Sequence, residues 1–379
     1  MKILYLTTST ELGGAEKAIA DLAVACSNQH TVRVLSLRPC GQIADYLKEN
    51  GVEVFSLNLV KKPWPGRLIK AVQKQLDEFQ PDVVHGVLYW GMEIARIACA
   101  GRKVKVITSP HFDFSKRPFY QRVLDFLLKS RDTLTIAESF STAQYLVKHQ
   151  KYPKEKVFFL PNCIDEKRFF KDDSLRREMR RKYHYQDKDV VIVQVSRLEP
   201  EKDPMSLVAA FRNVFRTFPQ AHLVFVGDGT EREKMENFIK ASHLEKQVLI
   251  TGMQTNVNSW LNLADIFVLP SKEESLPLGL LEALQIGLPC VVSRVGDMPL
   301  WVEHGQNGFV FPPQDITLLS CFLTELCTQK SLREQQGRLS LEKMKSKRYS
   351  FPQYQHIYEQ ILTGEFSREN QGKNLQTVR

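Results

Sequence analysis

Two runs of strand–helix alternation, joined by a charged linker, predict an α/β chain of two doubly wound domains facing across a cleft. Three observations carry this. Short apolar runs of strand length alternate with stretches of helical periodicity throughout the chain, the pattern of parallel sheets covered by helices on both faces. The alternation occurs twice, before Pro161 and again from Val190 to Val310. A chain of 379 residues is long enough to bury two cores.

In the first half the strand runs are Ile3–Thr7, Val32–Leu35, Val54–Leu57, Val83–Val87, Val104–Thr108, Leu134–Ala137 and Val157–Leu160. Helices are expected between them, at Ala15–Cys26, Leu68–Phe79, Gly91–Cys99 and Ser139–His149. The linker begins at Pro161-Asn-Cys-Ile-Asp165 and runs, highly charged, to Asp189; its Arg176–Lys182 run reads as a solvated helix face. Asp187-Lys-Asp189 fits the minimal Asp-x-Asp pattern of a metal site but precedes a strand, so it reads as a turn. The apolar runs Val190–Val195, Val224–Val226 and Asp265–Pro270 mark strands of the second half. Leu278–Ile286 has helical spacing and is stopped by Gly287-Leu-Pro289. The expected division is 1–165, 166–345, a helix within 346–363, and a polar tail at 364–379.

Composition narrows the function. Apolar and charged fractions are those of a soluble globular protein, and no run approaches the ~18 apolar residues of a membrane span. Met1-Lys2 leads straight into a strand, which leaves no room for a signal peptide. The seven cysteines form no Cys-x-x-Cys pair and read as buried thiols in a reducing cytoplasm. Net charge is +9 and uneven: residues 1–160 carry 23 Lys and Arg against 15 Asp and Glu, whereas the remainder is nearly balanced. A basic first half suits a phosphate-bearing acceptor or an anionic membrane surface. No nucleic-acid motif accompanies the charge, so nucleic acid is not expected as a partner.

The chemistry sits at predicted strand ends. Glu274 lies in the loop after one strand, and Glu282 about one turn inside the following helix. Leu278, Gly279 and Leu280 between them offer the unpaired backbone N–H groups of a helix N-terminus, where an anion is favoured. Two carboxylates able to hold sugar hydroxyls beside an anion site suit a nucleotide sugar; the alternative is a solvated loop acid and a helix-face acid. Arg197, just past another strand, and Lys202 are placed to grip a diphosphate, the alternative being a surface turn. Gly13 and Gly14 follow the first strand and let backbone approach a ligand, with Glu16 opening the next helix; a plain tight turn is the alternative. His111 follows Val104–Pro110, where it can hydrogen-bond an acceptor or a sugar hydroxyl, or serve the structure alone. Two basic–aromatic stretches, Lys61–Arg67 and Phe114–Lys129, could seat the first domain on anionic lipid; the alternative is a core-packed helix and an acceptor lid.

In order and spacing, Gly13-Gly-Ala-Glu16, Ser196-Arg-Leu-Glu-Pro-Glu-Lys-Asp203, Val224-Phe-Val-Gly-Asp-Gly229, Ser271–Ser293, Val295-Gly-Asp-Met-Pro299 and His304-Gly-Gln-Asn-Gly308 resemble the retaining glycosyltransferases of family 4 (group 1 type). The resemblance runs from Met1 to about Leu362. It implies the GT-B fold of two Rossmann-like domains with the 346–363 helix crossing back to the first, Arg197 and Lys202 on the diphosphate, Glu282 on the ribose hydroxyls, Glu274 on the transferred sugar, and a histidine at the place of His111. It also implies front-face transfer without a carboxylate nucleophile, a nucleotide-sugar donor, and a glycan or lipid-linked acceptor of cell-surface polysaccharide or lipopolysaccharide synthesis. No metal cluster and no cofactor are expected. The chain departs from the pattern at Asp297, where such proteins have a second glycine, and at Leu300, where they have glutamate. UDP-sugar 2-epimerases share the architecture but lack the Gly-Gly-Ala-Glu opening combined with Arg197 and Lys202. A catalytically silent binding subunit is the third reading.

Overall fold

The structure is a computed structural model and describes residues 1–59, 65–347 and 350–365. The chain divides into two units, one of Met1–Asn162 with the helix Phe351–Thr363, the other of Cys163–Ser350.

The first unit is built on seven parallel strands: β1 (Lys2–Thr7), β2 (Thr31–Ser36), β3 (Glu53–Ser56), β4 (Val83–Val87), β5 (Lys105–Ser109), β6 (Leu134–Ala137) and β7 (Val157–Phe159), in the order β3-β2-β1-β4-β5-β6-β7. Helices α1 (Gly14–Ser27), α2 (Gln42–Glu49), α3 (Pro65–Phe79), α4 (Leu88–Ala98), α5 (Phe119–Leu128) and α6 (Phe140–Lys148) make the crossovers. Strands covered on both faces are buried almost throughout, as the unbroken apolar runs Ile3–Leu6 and Val83–Val84 require. Gly91 is fixed by packing: a Cβ there would lie 2.4 Å from the Leu6 carbonyl oxygen, so glycine lets α4 lie against β1.

The second unit carries α7 (Asp173–Lys182), then β8 (Val190–Val195), α8 (Pro204–Thr217), β9 (Ala221–Val226), α9 (Arg232–Ala241), β10 (Val248–Ile250), α10 (Val257–Leu263), β11 (Ile266–Leu269), α11 (Leu278–Ile286), β12 (Cys290–Ser293), α12 (Met298–Trp301), β13 (Gly308–Phe311), α13 (Ile316–Thr328) and α14 (Lys330–Lys347). Its sheet is also parallel, ordered β10-β9-β8-β11-β12-β13. Both sheets reverse direction of winding beside their first strand, between β1 and β4 and between β8 and β11. In open α/β sheets the crevice off the carboxyl ends at that point is where ligands bind.

The final helix, α15 (Phe351–Thr363), belongs to the first unit. Its Tyr358 hydroxyl lies 2.6 Å from His85 Nδ1 and donates to the Tyr5 hydroxyl (3.0 Å), which in turn donates to Cys26 Sγ (3.7 Å). His85 Nε2 reaches Ser109 Oγ at 2.8 Å, so a buried polar chain ties β5, β4, β1, α1 and α15 together.

Two expectations are corrected. The Arg176–Lys182 run is not uniformly solvated: Arg176 and Arg180 both pair with Asp265, at 2.6 and 3.2 Å, and Arg176 also donates to the carbonyls that end α10. The charges needed for a helix C-terminus and a loop acid are what draw them inward. The cysteines are not all buried either; Cys40 and Cys321 are exposed. Asp187-Lys-Asp189 does form a turn, with Asp189 accepting from the Gln186 N–H at 2.7 Å.

Candidate functional site

In the second unit the residues singled out in the sequence gather off the carboxyl ends of β8 and β11. The turn after β8 carries Arg197. Its close course is permitted by two glycines after β9: a Cβ on Gly227 would sit 1.9 Å from the Ser196 carbonyl oxygen, and one on Gly229 2.4 Å from that of Leu198. That is the physical content of the Val-Gly-Asp-Gly motif. A short helical turn, Pro200–Lys202, then delivers Lys202, and Asp203 takes a left-handed conformation (φ 49°) to start α8.

Lys202 Nζ lies 2.7 Å from Glu274 Oε1, and the buried Ser271 hydroxyl donates to the same oxygen at 2.9 Å. The loops are stitched by backbone as well, Lys272 N–H donating to the Glu201 carbonyl at 2.7 Å. Glu274 and Glu282 are each 9% exposed, which sets aside the reading of two solvated acids. A buried carboxylate needs partners, and Lys202 and Ser271 supply them to Glu274. Arg197 differs: its side chain is half exposed and meets Glu201 at 3.4 Å, an exposed pair that holds it weakly. Arg197 is therefore free to turn to an incoming anion, whereas Lys202 is already fixed.

Helix α11 begins beside this pair. Pro277 takes the N-cap place and has no side-chain acceptor for the first-turn N–H groups of Leu278, Gly279 and Leu280. A Cβ on Gly279 would lie 3.1 Å from the Val195 carbonyl oxygen, so the helix start rests on the end of β8. Gly296 (φ +52°) packs more closely still on the Glu274 loop: a Cβ would meet the Glu274 and Ser275 carbonyl oxygens at 2.3 and 2.5 Å. Its neighbour Asp297 is buried and donates its N–H to the Ser275 carbonyl at 2.9 Å, while Leu300 is half-buried. The departure at Asp297 thus lies against the Glu274 loop. His304, by contrast, is packed edge-on to Phe309 and Phe322, with Nδ1 near the Val310 backbone, a structural setting.

In the first unit Gly13 caps α1 and Gly14 opens it. A Cβ on Gly13 would collide with the Glu16 carboxylate (2.4 Å), whereas nothing lies within 4 Å of one on Gly14. Glu16 reaches back to Ser9, whose hydroxyl donates to it at 3.2 Å. His111 follows β5 in a left-handed conformation (φ 54°) and lines a small cavity with His85, Ser109, Glu138, Tyr354 and Tyr358. Burial pushes the His111 imidazole down to about 4, so it is neutral at pH 7, and its Nδ1 has no hydrogen-bond partner among the described residues. His85 goes lower, to about 3, through burial and the neighbouring His111. Sequence reasoning assigned no role to His85 or Ser271; the one signal was a polar residue within or just past an otherwise apolar strand.

No group of three or more His, Cys, Asp or Glu side chains able to hold a metal ion occurs among the described residues. Nor is any described helix long and apolar enough to cross a membrane.

Two family patterns match this arrangement, one over each half. Residues 176–340 match glycosyl transferases group 1, and residues 12–168 match glycosyltransferase family 4. The chain belongs to this glycosyltransferase family. Among curated relatives it is 28% identical over 271 residues, 69% of each chain, to N-acetyl-alpha-D-glucosaminyl L-malate synthase of Bacillus anthracis. It is 24% identical over 339 residues (83% of this chain, 85% of the relative) to the UDP-Gal:alpha-D-GlcNAc-diphosphoundecaprenol alpha-1,3-galactosyltransferase of Escherichia coli. Among solved structures, HepE of Anabaena in complex with UDP-glucose superposes with a TM-score of 0.85 at 20% identity, covering 96% of this chain and all of that one. The two Rossmann-like units are thus those of the GT-B glycosyltransferase fold.

Proposed function

We propose that this glycosyltransferase moves a sugar, with retention of anomeric configuration, from a nucleotide-sugar donor to a glycan or lipid-linked acceptor in the building of a cell-surface polysaccharide or lipopolysaccharide. The observation that carries the reading is the Lys202–Glu274 pair, 2.7 Å apart at the switch point of the second sheet, beside the start of α11. Loss of a nucleoside diphosphate builds negative charge on its phosphates. Lys202, Arg197 and the α11 N-terminus would stabilise it, and losing one such group costs ~3 kcal/mol. In this reading Glu274 holds the transferred sugar and Glu282 the ribose hydroxyls, with Gly13 and Gly14 giving room for the donor on the first unit. No resident metal is invoked, because the cationic groups and helix start supply the charge. The departing phosphate takes the acceptor's proton in a front-face step, and neutral His111 hydrogen-bonds the acceptor or sugar. The chain works as a peripheral protein at the cytoplasmic face of an anionic membrane. One relative named for a diphosphoundecaprenol-linked acceptor and a solved neighbour holding UDP-glucose support the donor and acceptor classes.

The test is incubation with a panel of nucleotide sugars and acceptors, followed by mass spectrometry. Free nucleotide with a glycosylated acceptor is expected, at a rate insensitive to EDTA and cut at least ~100-fold by Arg197→Ala or Lys202→Ala. An altered sugar without transfer would make the chain an epimerase. Binding without turnover would make it a silent subunit.

A further inference from the structure

Helix α5 is turned inside out. Its polar residues face inward: Gln121 and Asp125, one helical turn apart, are buried, and Asp125 accepts from Arg96 (2.8 Å) and the Tyr152 hydroxyl (2.6 Å). Arg96 is itself fully buried and also holds Glu93 and Asp132. Tyr89 donates to the Gln121 carbonyl at 3.1 Å. These bonds fix the roll of the helix and leave its apolar residues outside: Phe119 is 74%, Tyr120 62% and Leu127 66% exposed, with Val123 and Phe126 exposed beside them. Soluble chains seldom leave a contiguous set of large apolar side chains bare unless it meets something.

The charge around the patch says what it meets. From Lys116 to Arg131 the chain carries five cations, Lys116, Arg117, Arg122, Lys129 and Arg131, against one acid, the buried Asp125. Lys129 Nζ stands 3.7 Å over the Phe126 ring and Arg122 6.0 Å from that of Phe119, so cations border the aromatic face itself. Aromatic side chains ringed by Lys and Arg suit the boundary between acyl chains and anionic headgroups. A second copy of the same surface would bring like charges together. We propose that α5 is a membrane-insertion helix, its Phe119, Tyr120, Val123, Phe126 and Leu127 face entering the headgroup boundary of an anionic bilayer while the Arg96–Asp125 pair holds it rigidly to the fold. This deepens the membrane contact of the proposed function and rests on that part of it, not on the sugar chemistry. The other basic–aromatic stretch named in the sequence lies, over Lys61–Trp64, outside the described residues.

Co-sedimentation with phosphatidylcholine vesicles, with and without roughly one-third phosphatidylglycerol, tests the surface. The wild-type chain should bind the anionic vesicles ~10-fold or more better than the neutral ones. Phe119→Ser with Leu127→Ser, and separately Lys116→Glu, should weaken that binding, the apolar pair by ~10-fold, at unchanged melting temperature. Transfer to a soluble acceptor should persist in all of them. Vesicle binding equal to wild type in the apolar variant overturns the proposal. So does loss of a dimer in sedimentation velocity with vesicle binding untouched, which would make α5 a self-association face. If no nucleotide sugar is turned over but vesicle binding behaves as stated, the insertion helix stands and the transferase reading falls.

Discussion

His85 and His111 show how single residues in this fold are set by burial. His85 keeps both ring nitrogens in hydrogen bonds, to Tyr358 and Ser109, and burial holds it near 3. In the unfolded chain it titrates near 6.5, so between those values the unfolded state binds a proton that the folded state refuses. Stability therefore falls on acidification from about pH 6.5 towards 3, by roughly 1.4 kcal/mol per pH unit for this one group. His111, half-buried and held near 4, acts in the same direction. Denaturant melts at stepped pH should show a shallower acid loss in His85→Gln than in wild type. Equal slopes would mean that His85 is charged in the fold. The same scale shows what the sequence could reveal. Arg197, Lys202 and Glu274 were legible because each follows a predicted strand end. The Lys202–Glu274 bond, 72 positions apart in the chain, was not, because only the packing of two loops brings it about.

Elements were legible wherever one periodicity had one meaning. The strands β4, β6 and β8 and the helix α11 fall where the apolar runs put them, since a strand buried on both faces has no second reading. Helix α5 was visible as a basic–aromatic stretch with two readings, lipid-facing or core-packed, and its sequence did not choose between them. Apolar residues at helical spacing look alike whether they face core or solvent, and here Arg96 from another helix decides the roll by claiming Asp125. Helix α7 misled for the mirror reason, its arginines being drawn in by Asp265. At this scale the Gly296 turn has a measurable consequence. Gly296→Ala needs a left-handed alanine with its Cβ against two carbonyl oxygens of the Glu274 loop, and should destabilise by ~1–3 kcal/mol. Gly66→Ala, in α3, meets nothing within 4 Å and should be neutral or slightly stabilising. Thermal unfolding of the pair distinguishes them, and equal melting temperatures would remove the close packing from the account.

For the whole molecule, the proposed function divides two tasks between the two units. The Arg197, Lys202, Glu274 and Glu282 cluster lies in the second unit; His111, the outward-facing α5 and the excess positive charge lie in the first. In the proposed function the donor is therefore held mainly by the second unit and the acceptor mainly by the first. The most direct test titrates the donor's nucleoside diphosphate calorimetrically into wild type, Lys202→Ala and His111→Ala, with transfer assayed on the same preparations. Lys202→Ala is expected to lose nucleotide affinity, ~10-fold or more, whereas His111→Ala keeps it within a few-fold and loses transfer. Nucleotide affinity that falls as far in His111→Ala as transfer does, or that is unchanged in Lys202→Ala, would contradict this division.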